Sequence, residues 1–334
     1  MMNDVAVGID VSKSKLDICI ARDGKYKSKS LSNTKSGHKE LTKWLEAQGV
    51  TSETPVALEA TGPYSEAIAI HLSDNAWCVS VINPARISGF AKSELARNKT
   101  DKADAKLIAR FALRADLEIW QPLTPAVREL RALVDRLQAL SDMRQQELNR
   151  IEGLSETAQL TVKEMIMDHV QWLEKQIDSI KSDIDDHIDG NTELKQDAEL
   201  IESIPGMGRR STAQFLAYIG DVRRFKNAKA LAAFIGVTPR QKQSGTSIKG
   251  RSSLSRTGHN AARKSLFMPG MVAKRFNPVI IAASARLEAR GLTPKAIVGA
   301  SMRRLVHMIY GVVKSGTHFN AKIPLSRLDF QEGI

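Results

Sequence analysis

The sequence predicts a mixed α/β domain followed by a mostly helical region. Within the first 21 residues apolar side chains alternate with a period of two, and strand-like and helix-like segments then alternate up to residue 84. From Val127 onward, apolar residues instead recur every three or four positions. The short period is typical of half-buried strands and the longer one of amphipathic helices. A chain of 334 residues is long enough for two or three domains with separate cores.

The N-terminal segments predict elements in the order βββαβαβα. Val5, Val7 and Ile9 alternate with other residues, LDICIA (16–21) alternates again, and the turn residues RDG (22–24) lead to a third strand. Next come a helix in SGHKELTKWLEAQ (36–48), a strand in PVALEATG (55–62), a helix in SEAIAIHLSD (65–74) and a strand in CVSVINP (78–84). This order resembles the ribonuclease-H-like fold, which we expect over residues 1–122.

Residues 123–198 predict a helical, coiled-coil segment. Apolar residues recur at helical spacing in two runs, Leu130, Val134, Leu137 and Leu140, then Leu173, Ile177, Ile180, Ile184 and Ile188. We expect two antiparallel helices that pack on each other or on another subunit.

Residues 199–334 predict a mainly α-helical C-terminal domain. In IESIPGMGRRSTAQFLAYIG (201–220), a Pro-Gly-x-Gly turn separates two helices, as in a helix-hairpin-helix. Glycines in such a turn let backbone N–H groups approach a phosphate, but the same turn also serves as a tight connection between packed helices. Both interpretations stay open here.

Positive charge is concentrated in the last third of the chain. The net charge of +12 divides into +2 for residues 1–120, −8 for residues 121–200 and +18 for residues 201–334. The last segment contains 23 basic residues and 5 acidic ones. This asymmetry predicts a nucleic-acid partner. Cys19 and Cys78 lack disulfide or metal-ligand spacing, and no apolar run reaches the roughly 18 residues of a membrane span. We therefore expect a cytoplasmic protein without a membrane partner.

Four carboxylates occupy positions suited to a divalent cation. Asp10 and Glu59 each stand where a predicted strand leaves the core, and Asp101 and Asp104 are one helical turn apart at a predicted helix start. Such oxygen ligands bind Mg²⁺, the usual cation of phosphodiester chemistry. Each acid alone also has a structural explanation in a turn, an ion pair or the helix dipole. Actin-like ATPases and sugar kinases open similarly, but the sequence lacks their Gly-rich phosphate loops.

The stretch QKQSGTSIKGRSS (241–253) holds four serines, three basic residues and no acid. Its composition alone favours a flexible linker. The alternative is a loop that holds a nucleophilic hydroxyl against a phosphate. Composition does not choose among the four serines, Ser244, Ser247, Ser252 and Ser253.

Six segments in order resemble one known family. They are VGIDVSKSKLD (7–17), ALEATGPY (57–64), SVINPA (80–85), RNKTDKADA (97–105), LIESIPGMG (200–208) and FIGVTPRQKQSGTSIKG (234–250). Over nearly the whole chain, they resemble the DEDD transposases of the IS-one-ten insertion-sequence family, also called bridge-RNA-guided recombinases.

The resemblance implies a RuvC-like (ribonuclease-H-like) domain, a coiled coil and a C-terminal transposase domain. By motif, the family's carboxylate set falls on Asp10, Glu59, Asp101 and Asp104, and its catalytic serine falls on Ser244. The cofactors implied are Mg²⁺, with Mn²⁺ as a substitute ion, and a guide (bridge) RNA. In the family, the serine attacks a phosphodiester to give a covalent protein–DNA intermediate.

Partners follow from the same resemblance. They are donor and target DNA, joined through a Holliday-junction-like intermediate, a structured non-coding RNA, and further copies of the chain in a dimer of dimers. In that assembly the serine of one subunit faces the carboxylates of another. The resemblance also implies that the protein acts in a prokaryotic cytoplasm. The acidic helical segment is then expected to serve as a dimerisation arm.

Basic residues around Ser244 are candidates for nucleic-acid contact. They are Arg240, Lys242, Lys249, Arg251 and Arg256. Nearby His259 is a candidate general base, although a single histidine is more often structural.

Two other functions stay open at this point. One is a RuvC-like metal-dependent nuclease or junction resolvase, in which an activated water attacks the phosphate. The other is a non-catalytic nucleic-acid-binding protein that keeps a nuclease-like fold.

Overall fold

The computed structural model describes residues 4–94, 101–154, 160–240, 243–244, 248–249, 253–255 and 257–322. The chain forms two compact units, Met1–Pro122 and Leu123–Ile334. The predicted separation of a coiled coil (123–198) from a transposase domain (199–334) stays a prediction.

Five strands of the first unit form one mixed sheet. They are β1 (Val5–Val11), β2 (Lys15–Arg22), β3 (Lys25–Ser32), β4 (Val56–Glu59) and β5 (Val79–Ile82), in the spatial order β3-β2-β1-β4-β5. The first three form an antiparallel meander, and β4 and β5 continue the sheet in parallel with β1. Asp23 and Gly24, with φ of 49° and 74°, form the two-residue turn between β2 and β3.

The described part of this unit also contains four helices. They are α1 (Lys35–Ala47), α2 (Pro63–Asp74), α3 (Pro84–Ser93) and α4 (Asp101–Arg114). One face of the sheet packs on α1 and α2 through Val7 and Ile9, whereas Ala6 on the opposite face belongs to a core cluster with α4. The predicted order βββαβαβα is confirmed, and the mixed sheet is compatible with a RuvC-like domain.

The second unit is mostly helical, as predicted. Its helices are α5 (Pro125–Glu152), α6 (Leu160–Asp189), α7 (Thr192–Glu202), α8 (Arg209–Ile219), α9 (Ala228–Ile235), α10 (Asn260–Ser265), α11 (Phe267–Phe276), α12 (Pro278–Ala289) and α13 (Pro294–Ser315). Among the described residues between α9 and α10 are four two-residue strands, namely β6 (Pro239–Arg240), β7 (Gln243–Ser244), β8 (Ile248–Lys249) and β9 (Ser253–Leu254).

Helices α5 and α6 run antiparallel. The Arg144 Nε donates to Glu174 Oε1 at 2.8 Å, and further along α5 the Glu147 Oε1 lies 3.0 Å from Nδ1 of His169 on α6. Residue numbers therefore rise on one helix as they fall on the other. The apolar stripes of both helices belong to the same core cluster as α7, α8, α9 and α13.

Helix α13 lies at the centre of this core. It is the one helix, among the residues that the structure describes, that is long and apolar enough to cross a membrane. However, 67% of the most apolar 18-residue stretch of this helix is buried within the chain. Burial, with a contribution from Arg303, lowers the pKa of His307 on this helix to about 4, so the imidazole is neutral at pH 7. These features are those of a core helix.

Candidate active site

Asp10 and Glu59 lie side by side on neighbouring parallel strands. Gly8 of β1 pairs with Ala57 of β4, and the two acids each follow two positions later. Because side chains alternate between the faces of a sheet, both carboxylates lie on the same face as Gly8 and Ala57. Both residues are half-buried. The sheet thus brings together two carboxylates that are 49 residues apart in the chain.

A close backbone contact determines where α4 lies on this face. A Cβ added to Gly8 would stand 2.2 Å from the Ala109 nitrogen and 2.4 Å from the Ala105 oxygen, so only glycine fits. Earlier on the strand, Ala6 belongs to a core cluster with Ala112 from the last part of α4. The helix therefore runs opposite to β1, and its first turn lies beside the end of that strand.

That first turn carries the other two predicted carboxylates. Asp104 is half-buried, and Asp101 is the first residue of α4, although its side chain is outside the described part of the structure. Asp10, Glu59 and the start of α4 thus share one edge of the sheet. Among the described side chains, no three His, Cys, Asp or Glu residues form a metal-binding group, and this statement does not cover Asp101. The donors at this edge are carboxylate oxygens, which fit Mg²⁺ or Mn²⁺.

A fifth carboxylate, which the sequence analysis did not single out, lies opposite Asp10. Asp17 of β2 pairs directly with Asp10 and is buried. Its charge is balanced by Lys15 Nζ, 2.8 Å from Oδ2, and by the hydroxyl of Ser30, which donates to Oδ1. Asp17 is therefore paired within β2 and β3 and serves the sheet as part of an ion pair.

Ser244 lies in a pair of short antiparallel ladders, which we call the serine finger (residues 239–254). At its base, Pro239 pairs with Leu254, and further out Ser244 pairs with Ile248. Ser244 is thus the last paired residue before the three positions 245–247, which are outside the described residues, as is the Ser244 side chain. The described residues of this stretch lie in paired strands, whereas its composition favoured a flexible linker.

Four of the five predicted nucleic-acid contacts fall within the serine finger by residue number, and Arg256 follows it. Arg240 lies in β6 and Lys249 in β8, where the structure describes the backbone but not the side chain. Lys242, Arg251 and Arg256 lie outside the described residues, so their contacts stay predictions.

The base of the finger is fastened to the helical core. The Ser255 nitrogen donates to the Thr238 oxygen at 2.8 Å, which closes the base. Leu254 packs over α13 at Gly299, where an added Cβ would stand 3.3 Å from Leu254 Cδ1. The finger is therefore held by the same core that contains α13.

His259 has a structural role at the end of this segment. Its Nδ1 accepts a hydrogen bond from the Ala262 nitrogen at 3.2 Å and so caps α10. Burial lowers the pKa of His259, and nearby Arg131 strengthens the shift, so the ring is neutral at pH 7. Its ring also stacks with Phe234.

The Pro-Gly-x-Gly turn between α7 and α8 is built into the core. Gly206 has a φ of +108°, and an added Cβ would stand 2.6 Å from the Ala273 Cβ on α11. Arg209, the first residue of α8, is surrounded by the carboxylates of Asp185, Asp189 and Glu202. The turn thus has a clear packing role, and phosphate binding there stays a prediction.

Comparison with known proteins identifies the family. Residues 7–157 match the DEDD family of IS110 elements, described as a transposase, and residues 198–285 match the transposase IS116/IS110/IS902 family. A pilin gene-inverting protein of Moraxella bovis is 33% identical over 325 residues, which span 96% of this chain and 99% of that protein. The chain belongs to the IS110 (IS-one-ten) family of transposases.

Other relatives agree with this assignment. The pilin gene-inverting protein of Moraxella lacunata is also 33% identical over 325 residues. The transposase for insertion sequence element IS1111A of Coxiella burnetii is 26% identical over 190 residues, or 49% of this chain and 51% of that protein. This IS110-family chain is therefore a DNA transposase/recombinase, and the DEDD family suggests that it uses a divalent metal.

The contact at Gly8 predicts the effect of a single methyl group. In Gly8→Ala, the new Cβ would push α4 away from β1 and displace Asp104 relative to Asp10. Overpacking of this kind costs about 1–3 kcal/mol of unfolding free energy, and a shift of about 1 Å in a catalytic group costs roughly 100-fold in rate. Urea unfolding and DNA strand cleavage measure the two effects.

Gly89→Ala is the matched control for this test. An added Cβ at Gly89 on α3 meets no atom within 4 Å, so this substitution should leave both stability and cleavage at or above the wild-type level. Wild-type cleavage by Gly8→Ala would contradict the geometry described for this edge.

Proposed function

We propose that this IS110-family chain catalyses RNA-guided strand exchange between donor and target DNA. Ser244 is the nucleophile, and Asp10, Glu59, Asp101 and Asp104 hold Mg²⁺. The observation that carries the proposal is the shared sheet edge, where Asp10 and Glu59 lie on adjacent strands beside the first turn of α4.

In this mechanism the carboxylates and the serine have separate tasks. The four carboxylates orient the cation, which when bound stabilises charge on the phosphate and the leaving oxygen. The Ser244 hydroxyl loses its proton to solvent and its Oγ attacks phosphorus, while the bond from phosphorus to one DNA oxygen breaks and that oxygen takes up a proton. That strand leaves with a free hydroxyl, and the other end stays joined to Ser244 as a phosphodiester.

A covalent step is favoured over hydrolysis by what strand exchange requires. The Moraxella relatives are named for gene inversion, and inversion rejoins cut ends to new partners. A phosphoserine bond keeps the free energy of the broken phosphodiester, so the hydroxyl of another strand can attack it and release Ser244. A metal-activated water would instead leave hydrolysed ends, and joining two such ends to each other needs a separate ligation.

The positive charge of the last third of the chain supports binding to nucleic acid. Residues 201–334 carry 23 basic and 5 acidic residues, enough for many phosphate contacts. From the resemblance noted in the sequence, we propose that part of this positive charge contacts a structured guide RNA. The resemblance also leads us to propose a dimer of dimers, with the serine finger of one subunit completing the carboxylate edge of another.

A denaturation-resistant adduct tests the nucleophile. Wild-type protein with labelled DNA and Mg²⁺ should give a protein–DNA species that survives boiling in detergent, and Ser244→Ala should abolish both the adduct and strand exchange. Ser247→Ala and Ser252→Ala remove the same hydroxyl from the same finger and should retain the adduct.

Two outcomes would overturn this mechanism. An adduct of normal yield with Ser244→Ala would assign the nucleophile elsewhere. Cleavage by Ser244→Ala that still needs Asp10 and a divalent ion would indicate the alternative, a nuclease that uses activated water.

RNA guidance is tested by expressing the gene together with its natural flanking DNA and purifying the full chain. We expect one structured RNA, transcribed from beside the gene, to copurify with the protein. Donor and target duplexes matched to that RNA should recombine, and duplexes with altered matching segments should not. Equal recombination after ribonuclease treatment would remove the guide RNA from the proposal.

A further inference from the structure

Four rings form a continuous row in the second unit, which we call the ring row (Phe225, Phe234, His259 and Tyr218). Adjacent ring centroids lie 5.2 Å apart for Phe225 and Phe234, 6.1 Å for Phe234 and His259, and 5.6 Å for His259 and Tyr218. The planes of Phe234 and His259 differ by only 22°. Internal packing accounts for part of the row, but Phe234 is 38% exposed.

The ring row lies at the foot of the serine finger. Phe234 is on α9, which leads into the finger, and His259 follows the strand that returns from it. The His259 nitrogen donates to the Phe234 oxygen at 2.8 Å, which joins the two sides. At Gly258, with a φ of +151°, an added Cβ would stand 2.4 Å from that oxygen, so the approach requires glycine. The position of the rings relative to the finger base is therefore rigid.

Cationic and polar groups flank the rings. The Arg224 guanidinium lies 4.8 Å from the centroid of Phe225 and 5.4 Å from that of Phe234. At the other end, the Tyr218 hydroxyl donates to Asp135 Oδ1 at 2.9 Å, which fixes that ring. Rings held in place beside an arginine are the usual platform for an unstacked base, because every base has a π face and its phosphate attracts the cation.

We infer that Phe234, which is 38% exposed beside Arg224, stacks an unpaired base of the DNA strand next to the phosphate at the serine finger. Strand exchange must unpair bases near the cut, and an unpaired base loses its stacking neighbours. Phe234, supported by His259, would replace one of those neighbours, and Arg224 would contact the adjacent phosphate. The inference rests on the proposed action on DNA strands, but its test measures binding rather than cleavage.

Fluorescence of 2-aminopurine tests this stacking. The probe is a 12-nucleotide single-stranded DNA of thymidines with one central 2-aminopurine, whose emission falls when the base stacks on a ring. Wild-type full chain should quench the probe. Phe234→Ala should abolish the quenching and weaken binding roughly 5- to 150-fold, the range expected for loss of one stacked base. Phe234→Tyr keeps a ring and should restore both.

Controls separate stacking from folding and from charge. Phe276→Ala removes a phenylalanine that is 68% exposed on α11 and should leave quenching unchanged. Fully paired duplex of the same sequence should bind Phe234→Ala as tightly as wild type. Thermal unfolding checks that Phe234→Ala is folded.

Three results would overturn the inference. Unchanged quenching in Phe234→Ala would mean that the ring row only stabilises the finger and does not stack a base. An equal loss of single-strand and duplex binding would indicate a general effect on the surface. A loss seen with the matching RNA 12-mer but not with DNA would assign the platform to RNA. Because Ser244→Ala keeps the ring row, it should quench like wild type even if the proposed nucleophile is wrong.

Discussion

The backbone contact between α4 and β1 at Gly8 is the constraint on which the proposed chemistry depends. Ala105 and Ala109 are small enough, and Gly8 bare enough, for helix and strand to meet without an intervening side chain. A larger residue at any of these positions would move the start of α4 away from the end of β1. The distance between Asp104 and the two strand carboxylates is therefore set by three small residues that have no chemistry of their own.

Similar close contacts hold the serine finger, which carries the proposed nucleophile. Gly258, which lies between β9 and α10, lets the backbone approach the Phe234 carbonyl closely. Gly299 on α13 makes room for Leu254 at the finger base. The finger is thus attached to a core helix, and Ser244 pairs with Ile248 further along it. In each unit, close packing at glycine lies near the residues that are proposed to act on DNA. Such an arrangement suits groups that must hold their geometry against a charged, moving substrate.

Sequence periodicity predicted the N-terminal domain well because alternation reports burial directly. The order βββαβαβα and the two carboxylates at strand ends followed from that pattern. The pairing of Asp17 with Asp10 did not, because alternation gives the face of a strand but not the register of its neighbour. The small residues at Ala105 and Ala109, one helical turn apart, were a signal of close packing that periodicity alone does not interpret.

The serine finger was harder to predict for a different reason. Its Ser, Gly and Thr residues have the composition of a linker, and two-residue strands are too short to produce an alternating pattern. The sequence does not reveal the ring row because its members are far apart in the chain. Tyr218 is on α8, Phe234 is on α9, and Phe225 and His259 lie in connecting segments that only the fold brings together. Family resemblance selected Ser244 among four serines, and the residues themselves did not.

The position of a bound divalent ion tests the central claim, that the carboxylate edge is the metal site of the reaction. Crystals of the full chain grown with Mn²⁺ would locate the ion by its anomalous scattering. We expect a peak among Asp10, Glu59, Asp101 and Asp104 that disappears in Asp10→Asn. Mn²⁺ bound elsewhere, or a peak at this edge that persists without the Asp10 carboxylate, would contradict the account.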